Sequence, residues 1–170
     1  MPNYCDYEMK IRGSRKAINR VMECLKTDYN YGEGKPTHKH FFRVFDVNSN
    51  GIKYEGNGIY TIEVWGYCAW SIATSMLGND KAKTSYYACV KESHPDIFMG
   101  TNLWEQSKDC EIELFGEETG MCFSEHYLFR NGGMVVSECV DIDCEFDEEE
   151  DECIIHNPLK VDGECFAYSI

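Results

Sequence analysis

The stretch Tyr4–Leu25, Y-C-D-Y-E-M-K-I-R-G-S-R-K-A-I-N-R-V-M-E-C-L, decides the fold class. Tyr7, Met9 and Ile11 alternate with charged residues between Tyr4 and Arg12, the two-residue period of a half-buried strand. Gly13-Ser14 breaks the strand, and Ser14 is a natural helix N-cap. Beyond it Ile18, Val21, Met22 and Leu25 recur at i, i+3, i+4 and i+7, one apolar face of a helix reaching Thr27. Arg15, Lys16, Arg20 and Lys26 lie off that face; Arg15, Lys16 and Arg20 are expected to be solvated, with pairing to a partner's acids or to the chain's own acidic tail as the alternative.

Working outward, Asp28–Lys39 holds Gly32, Gly34 and Pro36 and reads as a loop. His40–Val47 reads as a strand, Asn48–Gly51 as a turn and Ile59–Cys68 as a strongly β-prone run. Trp70–Leu77 reads as a short helix stopped by Gly78-Asn79-Asp80, and Ser85–Val90 as a short strand. Thr101 is expected to cap a brief helix over Asn102–Lys108. Cys110–Phe115 and Met121–Arg130 are strands, Asn131-Gly132-Gly133 a hairpin turn, and Met134–Phe146 the partner strand. The order β-α-β-β-α, then α-β-β-β, predicts an α+β fold with a mainly antiparallel sheet and helices on one face. It divides into a domain over residues 1–140 and an acidic C-terminal extension over 141–170 packed on it.

The 170 residues carry a formal charge of −14, which disfavours a protein built to grip nucleic-acid phosphates directly. No apolar run approaches the length of a membrane span, so no membrane partner is expected. The N-terminus has neither a basic n-region nor an apolar h-region, which predicts no secretory signal. Ten cysteines, spread almost evenly without a C-x-x-C pair, then read as free thiols of a reducing cytosol, most of them small buried hydrophobes.

The charge is concentrated. Residues 1–100 hold 11 acids and 13 bases, whereas residues 101–170 hold 19 acids and 3 bases. In Asp141–Glu152, D-I-D-C-E-F-D-E-E-E-D-E, nine of twelve positions are acidic. Up to Asp147 the acids alternate with Ile142, Cys144 and Phe146, so carboxylates share one face of a strand. On an extended strand such neighbours stand about 6.5–7 Å apart, close to the phosphate spacing of a nucleic-acid strand. Holding like charges so close is destabilising, and a surface that tolerates it suits a basic partner.

Other constellations carry less. His38 and His40 form an H-x-H without a third ligand nearby. Cys144, Cys153, His156 and Cys165 form an irregular set that a structural zinc could staple, though no metal or cofactor is assigned. Cys122 and His126, four apart on a strand, stand about 13 Å apart, too far for a nucleophile and its base, so no catalytic residue is assigned. No phosphate-binding glycine loop of the common types is present. Trp65, Tyr67 and Trp70 read as core packing, with a partner-facing anchor as the alternative.

The opening Met1-Pro-Asn-Tyr-Cys5, with its strand, glycine turn and amphipathic helix, resembles the YubB-type ferredoxin-like family of plasmid and phage proteins. So does Leu114–His126, L-F-G-E-E-T-G-M-C-F-S-E-H, leading to the turn at Gly132-Gly133. The resemblance spans residues 1 to about 140 and leaves the acidic tail unexplained. It implies a ferredoxin-like split βαβ core, a gene carried on a mobile element and no enzyme activity. By analogy with small acidic anti-CRISPR and anti-restriction proteins, the expected function is a non-enzymatic inhibitor acting in the cytoplasm of a bacterial host. Its partner would be a host defence nuclease, first of all a type II CRISPR effector, whose DNA channel is lined with Lys and Arg. The expected contact residues are Asp141, Asp143, Glu145, Asp147, Glu148, Glu149, Glu150, Asp151 and Glu152, with Glu117 and Glu118 and help from Glu111 and Glu113. The alternatives are an accessory interaction module with a structural zinc site, or a factor acting on guide RNA.

Overall fold

The computed structural model describes residues 3–26, 36–78, 86–147, 152–160 and 166–170. The opening strand is the centre of the molecule. β1 (Tyr4–Gly13) pairs antiparallel with β4 (Ile59–Ala69) on one side and with β5 (Cys110–Glu118) on the other. β2 (Asn48–Ser49) and β3 (Lys53–Gly56) lie beyond β4, while β6 (Phe123–Arg130) and β7 (Gly133–Asp141) lie beyond β5. Every paired neighbour in this seven-stranded sheet is antiparallel. It follows that β3 runs parallel to β1 with β4 between them, and β5 parallel to β4 with β1 between them.

The alternation read in β1 is what builds the core. Tyr7, Met9 and Ile11 are buried on one face beside Ile62 and Val64 of β4 and Ile112 and Leu114 of β5. Helix α1 (Arg15–Leu25) lays Ile18, Val21 and Leu25 on that face. Each such side chain contributes roughly 1.5–3 kcal/mol by leaving water. Ser14 caps α1, its hydroxyl accepting from the Ala17 N–H at 3.2 Å. Arg20 is not simply solvated: it donates to Asp109 and to the Gln106 carbonyl. The core face also carries α3 (Leu103–Gln106), whose Leu103 is buried and whose neighbour Trp104 meets Phe129 edge-on. Asn102 rather than Thr101 caps α3, accepting from the Glu105 N–H.

Several expected elements take another form. His40–Val47 makes only isolated bridges, His40 with Gly100 and Val44 with Cys68. Phe41 and Phe42 are both buried, and their N–H groups donate to Cys24 of α1 and to Ser75. A segment whose hydrogen bonds go to separate elements has no ladder to join. Asn48–Ser49, expected within a turn, is the short edge strand β2. Ser85–Val90, expected as a strand, falls largely in a helix, α2 (Tyr86–Ser93), where Val90 packs with Phe42 and Phe98. Local β-propensity yields there to tertiary packing. Trp70–Leu77 contains a π-helical turn over Ala73–Leu77 that ends at Gly78 with φ 52°. The buried carboxyl of Glu125 accepts from the Ile72 N–H at 2.7 Å at its entrance and from the Tyr127 hydroxyl at 2.8 Å.

The strand expected over Met134–Phe146 is divided. Ile142 is buried and its N–H donates to the Cys122 carbonyl at 2.9 Å, which ends β7. β8 (Asp143–Asp147) then pairs with β9 (Glu152–His156) as a separate two-stranded sheet. The turn ahead of β7 is as expected, with Asn131 and Gly132 at φ 51° and 73°, the signs of a tight hairpin. The second face of the large sheet is crossed by the C-terminal residues. Phe166 stacks on Phe115 at 4.1 Å, and the Ile170 N–H donates to Glu113 at 3.1 Å. Among the described residues no helix is long and apolar enough to cross a membrane.

Candidate functional site

The acidic run forms the β8–β9 hairpin. Its register sets Asp143 opposite His156, Glu145 opposite Ile154 and Asp147 opposite Glu152. Period-two geometry puts these pairs on one face of the hairpin. Asp141, Asp143 and Glu145 are exposed, the Glu145 side chain by 75 %. Ile154 and His156 stand exposed beside them, and His156 Nε2 lies 3.9 Å from Glu145. Among the described residues no lysine or arginine pairs with Asp141, Asp143 or Glu145. Asp147 and Glu152 are placed by backbone register alone, and Glu148, Glu149, Glu150 and Asp151 lie outside the described residues.

The four acids expected to help from β5 behave differently. Glu118 is buried and accepts from the Gly120 N–H at 3.2 Å and from the Met121 N–H, closing the turn into β6. Glu113 is fully buried, bound by His126 Nε2 at 3.0 Å, the Ser169 hydroxyl at 3.0 Å and the Ile170 N–H. Glu111 sits between Arg12 at 3.1 Å and Arg130 at 2.7 Å. Glu117 is held by Lys160 at 2.9 Å and by the Asn157 amide at 2.6 Å. The reason is positional. Glu111, Glu113 and Glu117 share the sheet face that the C-terminal segment reaches, and Glu118 turns toward backbone donors at a strand end. None of the four extends the outward row.

The remaining chemistry is structural in form. His40 is buried, which lowers its pKa, and its Nδ1 lies 3.2 Å from the His38 carbonyl, while His38 is exposed. His126 is held between Glu113 and Glu138, while the Cys122 thiol turns to the Thr119 carbonyl at 3.4 Å. Among the described residues no three of His, Cys, Asp and Glu converge on a metal position. The side chains of Cys144 and Cys153, and all of Cys165, lie outside the described residues. Cys5, Cys24, Cys68 and Cys110 are buried thiols, whereas Cys89 and Cys139 are exposed. Burial pushes Cys24 and Cys110 up to about 12, so both stay protonated at neutral pH.

Trp65, Tyr67 and Trp70 are not core. Trp65 is 44 % and Trp70 41 % exposed, and Tyr67 joins exposed Tyr4 and Phe45 in a cluster with ring centroids 5.2–6.0 Å apart. The Arg43 guanidinium lies over the Trp70 ring at 4.3 Å. The parity was legible: Glu63, Trp65 and Tyr67 alternate with Ile62 and Val64. Indole and phenol rings serve a core or an interface equally well, so alternation alone did not say which face meets solvent.

No protein-family model, no curated protein and no solved structure matches this chain.

Proposed function

We propose that this chain is a non-enzymatic binding protein whose β8–β9 hairpin occupies a basic, nucleic-acid-binding groove of a partner. The observation that carries the reading is the outward set Asp141, Asp143 and Glu145, exposed and paired with no lysine or arginine among the described residues. An uncompensated row of carboxylates on a hydrogen-bonded strand pair can take the contacts that phosphates would make. Its field speeds encounter with a cationic groove and makes binding salt-sensitive. A host defence nuclease is the partner this chemistry suits, with a type II CRISPR effector the first to test.

The core topology supports the ferredoxin-like part of the reading. The unit β1–α1–β3 has β4 inserted between its parallel strands, and β4 and β5 enclose β1 in the same way. Two such interleaved units are what a split βαβ core would contain, and on this reading β6, β7 and the hairpin are additions to it. A plasmid or phage origin rests on the resemblance at Met1–Cys5 and Leu114–His126.

The test is a competition assay. A guide-loaded type II effector and its labelled target DNA are mixed with the wild-type chain or with a variant neutralised at Asp143, Glu145, Asp147, Glu148, Glu149 and Glu150 (each Asp→Asn or Glu→Gln). Wild type is expected to displace the DNA and the variant not to. Equal displacement by both would rule out mimicry through this row.

A further inference from the structure

A cavity of about 580 Å³ opens beside β1 and β4, apart from the acidic hairpin. Its carboxylates are Asp6, Glu8, Asp46 and Glu63, and its rings are Trp65, Tyr67 and Tyr168. The strand register builds this lining. Asp6 lies opposite Tyr67, Glu8 opposite Trp65 and Lys10 opposite Glu63. Carboxylates and aromatic rings therefore stand side by side on one face of two adjacent strands.

The far edge is closed by backbone. A Cβ at Gly66 would fall 1.9 Å from the Asp46 carbonyl oxygen, so only glycine lets that segment pass so near. The Tyr7 hydroxyl donates to the same carbonyl at 3.0 Å. Asp46 is fixed by the Val47 N–H and the Asn48 amide, and Glu63 by the Asn50 amide at 2.6 Å. Asp6 and Glu8 have no hydrogen bond or ion pair among the described residues. Burial raises the pKa of both, Glu117 adds to the rise and Lys160 opposes it. Of the chain's own cations at the edge, Lys160 binds Glu117, and Lys10 lies at the rim, 5.7 Å from the centre of the Tyr168 ring.

We propose that this cavity receives an arginine side chain presented by a partner polypeptide. Several features select that occupant. Carboxylates of one sign in a partly desolvated hollow call for a cation. Aromatic faces attract a cation electrostatically, and a planar guanidinium stacks on a ring while its edge donates to carboxylates in pairs. The volume holds the side chain together with flanking backbone. The exposed rings of Tyr4 and Phe45 continue from Tyr67, the surface composition that anchors protein partners. This site does not depend on the hairpin reading.

The probe is Nα-acetyl-arginine amide, titrated into the isotope-labelled full chain and followed by NMR. Saturable shifts are expected at the Trp65 indole N–H and at the Gly66 and Tyr67 amides. The uncharged isostere Nα-acetyl-citrulline amide is expected to bind about tenfold more weakly, and the lysine amide more weakly than arginine. Trp65→Ala and Glu8→Gln, both at partly exposed positions, should each weaken binding about fivefold. Asp143→Asn with Glu145→Gln should leave it unchanged, which separates this site from the hairpin. Equal binding of citrulline, equal binding of lysine, shifts centred on the hairpin, or no saturation at tens of millimolar would each overturn the proposal.

Discussion

Two regions of this molecule are rich in carboxylates, and they use them in opposite ways. On β5, Glu111, Glu113, Glu117 and Glu118 are each matched with donors from the same chain. On the β8–β9 hairpin, Asp143 and Glu145 face solvent, and among the described residues the cationic partner of Glu145 is His156. A count of acids does not separate these cases; the presence of covering chain does. Glu113 and Glu117 hold the chain that follows the hairpin against the sheet, and Glu111 and Glu118 bind arginines of β1 and β6 and the turn into β6, whereas the hairpin acids are those proposed to meet another molecule.

The contrast can be broken most forcefully at its hinge. Ile142 is buried where β7 ends and β8 begins. Ile142→Ala is expected to cost about 3 kcal/mol in urea unfolding. It should also weaken partner binding, because the hairpin loses the anchor that aims it. Next, Glu113→Gln removes a carboxylate that accepts from His126, Ser169 and Ile170. A loss of about 2 kcal/mol is expected, with faster proteolysis of the C-terminal segment and no loss of hairpin-mediated binding. If binding falls and stability holds, the β5 acids belong to the interface after all.

Much of this division lies beyond local sequence. The alternation of Tyr7, Met9 and Ile11 and the helical spacing of Ile18, Val21 and Leu25 are local patterns, so β1 and α1 were legible at once. The inward turn of Glu113 was not, because it depends on Ser169 and Ile170, which lie more than fifty residues away. Phe41 and Phe42 read as strand because aromatic runs are β-prone. Their backbone partners sit on α1 and at Ser75, which no local period reveals. The acidic row was legible as a strand pattern, but the break at Ile142 was not, since burial of one isoleucine against the Cys122 region is a tertiary event. The cavity was half legible: the parity of Trp65 and Tyr67 was there, the exposure was not.

A smaller effect should appear as a pH dependence. Burial raises the pKa of Glu125, and its hydrogen bonds to Tyr127 and the Ile72 N–H only partly offset that rise. A carboxyl whose folded pKa is raised binds its proton more tightly in the native state. Its contribution to stability is therefore full below the ordinary glutamate pKa and is lost as pH rises through the folded value. Glu125→Gln, which keeps an acceptor for Ile72, should flatten this decline. An unchanged slope in pH-dependent unfolding would place the titration elsewhere. Smallest of all, Asp143→Asn with Glu145→Gln should alter stability by no more than about 0.5 kcal/mol, as suits exposed side chains. A larger loss would mean that these acids serve the fold, and the distinction between the two regions would disappear.

The most direct test is retention of purified defence nucleases, CRISPR effectors included, on the immobilised wild-type chain across a salt series. At least one is expected to be held at low salt, to be released steeply as salt rises or DNA is added, and not to be held by the hairpin-neutralised chain. Retention indifferent to salt and to those substitutions, or no retention of any nucleic-acid-binding partner, would contradict it.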